Sequence, residues 1–512
     1  MTTRKPVMIG PFSRGINTYD DPTALHDQEC AEALNFDPGL DGSLKNRPPF
    51  TDTGDPLPMS GAGSTPRLLG YFYDAAGNPY LIANDGDNST WVYASGTWTL
   101  ITNTFAASDM AQFNGKAWLL SPVGEADPGG TWTPVDGFAA EPNMPRGTSI
   151  TSYKSRLWVA HGVGSSTPTR VSYSKVLGQP GFWQVSNPFV DIGAGDGQNV
   201  VKILTYYDTM LVFRTKSIWS FQFSSDPAAA VQGVVVPGVG LQSRFSLVTY
   251  ENYIYFMYDE KAYQFINNRA QQINIKVPFK TLNPGSTSTP YTVSLFNNRV
   301  LFSFYEMIYV YSLRTQTWTT WRSDAWGPIG QLMMPYTDAD TDIAYALPSS
   351  ASDGAEVLLL RIDDRVTSAT EDMFCVLLTK NYNFDVPGSF KVLFWWGIDA
   401  IFKTNIQGQV IPGVYNLATT WGSLFTGGVS WGSLLGGTWS HPYLSDPSVI
   451  SEVSTGPGPV RKFVKFFKKL RFRQIQFRIT FRTDGSDTTA PVQIFTLSTY
   501  MAEKQTVSRT VS

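Results

Sequence analysis

FNGKAWLLS (Phe113–Ser121) and YKSRLWVAH (Tyr153–His161) decide the fold. Each opens on an aromatic residue, passes through a polar pair and ends in an apolar run. The same order recurs as YDTMLVFRT from Tyr207, YENYIYFMY from Tyr250 and FNNRVLFSF from Phe296, with looser copies from Tyr73 and Tyr336. Successive copies lie 40, 40, 54, 43, 46 and 40 residues apart. A polar pair between two apolar runs reads as a tight hairpin, and Asn114–Gly115 is the strongest such dipeptide. A beat of 40 to 50 residues, with room for about four strands per unit, is the period of a β-propeller blade. The first unit displays all four strands as LLGYFYD, PYLIAND, TWVYA and TWTLI. One such sheet is too thin to bury both of its faces, whereas six or seven stacked around an axis bury them and leave few edges.

The chain is therefore expected to be all-β: an irregular leader over residues 1–60, a six- or seven-bladed β-propeller over 61–365, and a strand-rich C-terminal sandwich or platform over 366–512. Helical periodicity is almost absent. Its best instance is DPTALHDQECAEALNF, Asp21–Phe36.

Of the 512 residues, 42% are hydrophobic, 14% aromatic and only 16% charged. A charged fraction well below the usual quarter points to surface covered in an assembly. The net charge of −3 is unevenly spread. From Ser451 to Ser512 there are eleven Lys/Arg against four Asp/Glu, a local +7 that leaves −10 on the remainder. Such asymmetry implies a partner for the C-terminal end. Cys30 and Cys375 form no disulfide or metal framework. The opening MTTRKPVMIG lacks the apolar core of a signal peptide, and no run of about 18 apolar residues predicts a membrane span. Maturation in a reducing cytoplasm follows as an expectation.

Little in the sequence points to catalysis. His26, His161 and His441 stand apart, in no metal or triad motif. Asp338, Asp340 and Asp342 alternate like the start of a calcium loop. Ile343 stands where that loop requires glycine, and Ser349 where it requires an acid. DGDNST (Asp85–Thr90) reads as a turn, and PGVG (Pro237–Gly240) lacks the strand and helix of a dinucleotide site. No phosphate loop, nucleophile elbow or HExxH is present. The expected protein has no catalytic residues, no cofactor and no metal.

The sharpest chemical feature is RKFVKFFKKLRFRQIQFRITFR, Arg461–Arg482, with nine positive charges and no acid. Leu470 and Phe472 hold one strand parity; Ile475, Phe477, Ile479 and Phe481 hold the other. That switch predicts a bulge near Arg473–Gln474 in one bent strand, apolar on one side and basic on the other. Arg461, Lys462, Lys465, Lys468, Lys469, Arg471 and Arg473 are the candidate contacts, either to an acidic protein ring or to nucleic-acid phosphates. The protein partner is preferred, because sequence-tolerant DNA binders carry more basic charge overall.

WGSLFTGGVSWGSLLGGTW (Trp421–Trp439) repeats WGSL at Trp421 and Trp431 and closes on Trp439. An even spacing puts Trp421 and Trp431 on one face of an unbroken strand, but Gly427–Gly428 and Gly436–Gly437 break it. A lone hairpin of this kind is marginal in water, so the rings call for cover from the platform or a neighbouring subunit. A sugar-stacking strip is the alternative.

The leader GINTYDDPTALHDQECAEALNFDPGLDGSLKNRPPF (Gly15–Phe50) resembles the opening of tailed-bacteriophage propeller proteins through Gly15, Asn17, Pro22, Glu29, Asn35, Gly42, Lys45, Arg47 and Pro48. Arg170–Gln222 and Gly238–Phe265 are similar to blades of the phage tail nozzle, and APVQIFTLSTYMAEKQTVSR to the C-terminal strands of that family. The family carries a glycine in the last turn of the second segment, where this chain has Glu260–Lys261 and a different turn is expected. A Trp–Gly zigzag is also frequent there. The resemblance implies a non-catalytic virion protein in a homo-oligomeric ring at or near the distal tail, around the genome-exit channel. It implies other tail proteins as neighbours, viral DNA passing non-specifically, and synthesis in the host cytoplasm. The ring is six-fold for a tail nozzle and three-fold for a tip, and both nozzles and minor tail proteins share the propeller. The alternative function is a virion propeller that binds or hydrolyses a host-surface glycan, motivated by the many Trp and Tyr.

Overall fold

The computed structural model describes residues 4–59, 65–177, 179, 181–279, 291–304, 307–323, 325–326, 329–333, 343–348, 356–363, 371, 373–382, 391–401, 406–413, 448–450, 461–472, 474–482 and 493–503. Among them the fold is all-β, and the only helical element is a short 3-10 turn, Pro227–Ala229. The chain forms two compact units. One comprises Phe50–Val310 and Trp326–Arg365; the other comprises Met1–Pro49, Tyr311–Ala325 and Val366–Ser512.

The first unit is a β-propeller. Six blades follow one another along the chain, their innermost strands being Arg67–Tyr73, Asp109–Phe113, Ser149–Tyr153, Val200–Tyr206, Leu247–Tyr250 and Thr292–Phe296. A further sheet closes the ring. It combines Ile329–Met333, Ile343–Pro348 and Leu360–Asp363 with the early strand Phe50–Asp52, Phe50 lying opposite Ile362. Apolar cores lie between neighbouring blades rather than within them. Trp158, Val212 and Phe221 fill one such layer, and Leu211, Phe213, Ile254 and Phe256 the next. That arrangement covers the second face that a lone four-stranded sheet leaves in water.

The repeated aromatic has a definite task. Tyr153 donates its hydroxyl to the Asp208 carbonyl at 2.8 Å, and Tyr206 donates to the Asn252 carbonyl at 2.8 Å. Tyr250 reaches Asn298 Oδ1 at 3.2 Å. These three tyrosines, each at the end of an inner strand, thus grip the hairpin turn of the following blade. The fourth repeat is shifted by one residue from the sequence reading: Tyr206, not Tyr207, ends the strand. Tyr207 sits in the turn with φ +52° and is 66% exposed. The polar pairs make left-handed turns: Asn114–Gly115, Lys154–Ser155 and Asn297–Asn298 all have positive φ. So do Asp259 and Glu260, which form a tight turn before Lys261–Ile266 without glycine.

The second unit holds two sheets. One runs Phe36–Pro38, Leu44–Asn46, Gln493–Glu503, Lys391–Ile401, Arg461–Phe472, with Arg4–Ile9 also on Gln493–Glu503. The other carries Cys30–Leu34, Phe374–Thr379, Gln474–Arg482, Ile406–Gly413 and Ser448–Ile450 in that order. Their side chains meet at Trp396 and Phe477, ring centroids 5.3 Å apart. Up to Pro49 the expected irregular leader is instead part of these sheets, because Arg4–Ile9, Cys30–Leu34 and Leu44–Asn46 satisfy backbone groups against partners more than 340 residues away. The expected helix over Asp21–Phe36 is absent. Asp21 Oδ1 accepts from the Thr23 amide and hydroxyl in a local turn, and Cys30–Leu34 pairs with Phe374–Thr379.

The leader residues that carry the family resemblance are framework residues of this unit. Glu29 accepts from Asn17 Nδ2 at 3.1 Å and from the His26 amide at 3.0 Å. Gly15, at φ +67°, has no room for a side chain: a Cβ would lie 2.5 Å from the Trp318 carbonyl oxygen. Arg47 is fully buried and grips both oxygens of Glu371 at 2.8 Å. It also donates to Asn35 Oδ1, Pro48 O and Arg322 O.

Candidate functional site: the axial cavity of the propeller

The inner strands bring charged side chains from separate blades to one cavity of about 270 Å³. Asp109 begins one inner strand, and Lys202 lies within another. Arg244 and Phe245 precede a third. Asp109, Lys202, Arg244, Phe245, Ser294 and Gln331 are among its polar and aromatic lining residues, beside apolar ones that include Leu247 and Val293.

Asp109 is nearly saturated. Its carboxylate accepts from the Met110 and Ile150 amides at 3.0 and 3.1 Å and from Lys202 Nζ at 3.2 and 3.0 Å. The Ile150 bond ties two blades together. Gln331 acts likewise, donating to the Leu68 carbonyl at 2.7 Å and accepting the Leu68 amide at 2.9 Å. This amide bracket joins the closing sheet to the first blade.

Two arginines share the Phe245 ring. Arg244 Cζ lies 4.8 Å and Arg67 Cζ 5.4 Å from its centroid, distances at which cation–π attraction operates. Arg67 is only 9% exposed. Burial, and then the Arg244 charge, bring its guanidinium down to about 9. Burial also lowers Arg244, with Asp109 acting in the opposite direction. On the lining, Arg244 and Lys202 against Asp109 leave one positive charge in excess, and Arg67, on the other contact of the Phe245 ring, adds a second beside it.

His161 is a framework residue. Its ring nitrogens lie 3.1 Å from Thr167 Oγ1 and 2.9 Å from Ser172 Oγ. Burial first and the Arg170 charge second lower its pKa.

The basic run forms two strands rather than one bent strand. Arg461–Phe472 pairs with Lys391–Ile401, while Gln474–Arg482 pairs with Phe374–Thr379 and Ile406–Gly413 in the other sheet. The parity switch read from the sequence marks this change of sheet. The bulge lies earlier, where Lys468 and Lys469 stand opposite the single residue Phe394. Arg461, Lys462, Lys465 and Arg471 fall opposite Ile401, Ala400, Gly397 and Val392. In the second strand Ile475, Phe477 and Ile479 are buried, as the alternation predicts. Arg473, Trp421, Trp431 and Trp439 lie outside the described residues, as do His441, Tyr336, Asp338, Asp340 and Asp342.

Sequence reasoning missed the axial cluster because its members are scattered over the chain. A signal was present. Asp109 and Lys202 lie four residues before the aromatic that ends their strand, and Arg67 and Arg244 lie six before theirs. An even offset places Asp109 and Lys202 on the face of the aromatic in their strands, whereas Arg244 lies in the turn before its strand and a bulge at Leu69 interrupts the parity of Arg67.

The chain matches no family model and no curated protein. Among solved structures it is similar to the extracellular domain of BT4673 from B. thetaiotaomicron, with 11% identity and a TM-score of 0.41 over 70% of this chain and 43% of that one. It thus spans less than half of that domain. The AfRom2 CNH domain gives 7% identity and a TM-score of 0.38 over 60% of this chain and 99% of that one. The Neurospora crassa Pan2 WD40 domain gives 9% and 0.38 over 57% and 88%. Among the described residues no helix is long and apolar enough to cross a membrane.

Proposed function

We propose that this chain is a structural, non-catalytic component of a bacteriophage tail, one copy in a ring at or near the distal end around the genome-exit channel. The observation that carries the reading is the placement of the basic run. Arg461–Phe472 is twelve residues long and ends its sheet, paired on one side among the described residues. Its sequence holds six Lys/Arg and no acid. Edge strands invite pairing with another chain, and cationic ones repel copies of themselves. At a screening length of about 8–10 Å, two such edges side by side repel unless an acidic neighbour intervenes. A strand of this kind suits docking on an acidic tail protein. The leader residues that resemble the phage family give further support, since they are framework residues, the kind a shared architecture requires.

Immunogold labelling of virions, with negative-stain images of the purified chain, tests the reading. Gold at the distal tail and ring-shaped particles are expected; virions whose tails carry no label would sink it. Replacing Lys465, Lys468 and Lys469 together by Ser separates two uses of the strand. Tails that fail to assemble identify a docking surface, whereas normal tails that deliver the genome poorly identify contact with passing DNA.

A further inference from the structure

We infer that the axial cavity of the propeller is a binding site for a small phosphate-bearing molecule, held by Arg244 and Lys202. Three observations converge. The first is charge: Lys202 and Arg244 line the cavity with a single carboxylate, Asp109, and Arg67 lies beside them against the same Phe245 ring. The second is the state of that carboxylate. It already accepts two backbone amides and the Lys202 ammonium, so little of its acceptor capacity remains for an arginine. The third is the state of the arginines. Among the described residues neither the Arg67 nor the Arg244 guanidinium makes a hydrogen bond or ion pair; both instead lean on Phe245.

Like charges held close together at low dielectric are costly unless an anion joins them. The excess of two positive charges matches a phosphate monoester, which carries about −1.5 to −2 at neutral pH. The guanidinium fork of Arg244 suits two phosphate oxygens in parallel, and Lys202 adds a point charge. Ser294 on the same wall supplies a hydroxyl. The cavity, at about 270 Å³, is near the lower end for ligand pockets, which restricts the occupant to a compact molecule. Leu247 and Val293 give it apolar lining for the part that is not phosphate.

The test is calorimetric titration and thermal melting of the full chain with inorganic phosphate, at ionic strength held constant with chloride. Binding and a raised midpoint are expected for the natural sequence. Arg244→Gln should weaken phosphate about tenfold or more, the effect of losing hydrogen bonds to a charged group. Without phosphate its midpoint should equal or exceed that of the natural chain, because the repulsion on Arg67 is relieved. Arg244→Lys should recover part of the affinity. The inference falls if the natural chain binds no phosphate, or if Arg244→Gln binds it equally well. A short unphosphorylated oligothymidylate that displaces phosphate would overturn the small-molecule assignment in favour of a nucleic-acid backbone.

Discussion

Arg47 and Glu371, 324 positions apart in the chain, meet in a bidentate ion pair with both side chains fully buried, each contact 2.8 Å long. Asn35 Oδ1 and Ser323 Oγ complete the network from either side. A buried pair of this kind is costly to break and cheap to replace. Glu371→Ala should destabilise the second unit by about 3–5 kcal/mol, because it strands a buried guanidinium. Replacing both partners, Arg47→Met with Glu371→Leu, should recover most of that loss. Chemical denaturation of the three proteins checks the ordering; a double variant less stable than the single one contradicts it.

The Gln331 bracket predicts a local effect at the ring closure. Gln331→Ala leaves the Leu68 amide and carbonyl without their side-chain partner, at roughly 1–3 kcal/mol for each buried group left unsatisfied. Hydrogen exchange should quicken at Leu68 first. Unchanged protection there would show that the bracket does not hold the seam.

The one-residue shift in the fourth repeat can be tested with two tyrosines. Tyr206→Phe removes the hydroxyl bonded to Asn252 and should cost about 1 kcal/mol. Tyr207→Phe, at an exposed turn position, should fall within about 0.5 kcal/mol of the parent. Equal effects in urea melts would contradict the assignment.

His161 makes stability depend on pH in a known direction. Its folded pKa lies below the ordinary 6.5, so acid protonates the unfolded chain before the folded one. The contribution is fully present above pH 6.5 and is lost as pH falls below it, through the window between the unfolded and folded values. His161→Gln should flatten that part of the profile. A natural chain equally stable at pH 7.5 and 5.5, relative to the variant, would refute it.

The Asp259–Glu260 turn leaves stability unclaimed. Both residues have positive φ, +50° and +58°, where a side chain is unfavourable. Asp259→Asn with Glu260→Gly should raise the thermal midpoint, by an amount corresponding to about 1 kcal/mol. Glu260→Val should lower it.

The propeller was legible because its signal is local. An aromatic, a left-handed pair and an apolar run fit within nine residues, and Phe113, Tyr153, Tyr250 and Phe296 all stand where the repeat places them. The repeat slipped at Tyr206–Tyr207, where two adjacent tyrosines offer the same pattern in two registers and only the Asn252 contact decides. The leader was misread for the opposite reason. Cys30, Ala33 and Leu34 look helical in isolation, and their strand exists because Phe374–Thr379 lies against it. Pairing across such distances overrides local propensity. In Arg461–Arg482 the parity switch was visible, but whether a strand bends or changes sheet depends on partners such as Lys391–Ile401, which no local pattern names. The axial charges are harder still, since Arg67, Asp109, Lys202 and Arg244 acquire a common meaning only once the blades are arranged in a ring.

Threading the leader into late strands has a consequence for biosynthesis. Arg4–Ile9 leaves the ribosome more than 480 residues ahead of its partner Gln493–Glu503. At about 5–20 residues per second, the early strand waits roughly half a minute to two minutes with its backbone unpaired. Phe50–Asp52 waits in the same way for Leu360–Asp363. Between those two waits, consecutive blades can collapse onto one another as they emerge. Assembly of the monomer is therefore paced by translation, and a ribosome that stops just short of residue 493 releases a chain in which Arg4–Ile9 and Leu44–Asn46 lack their partner strand.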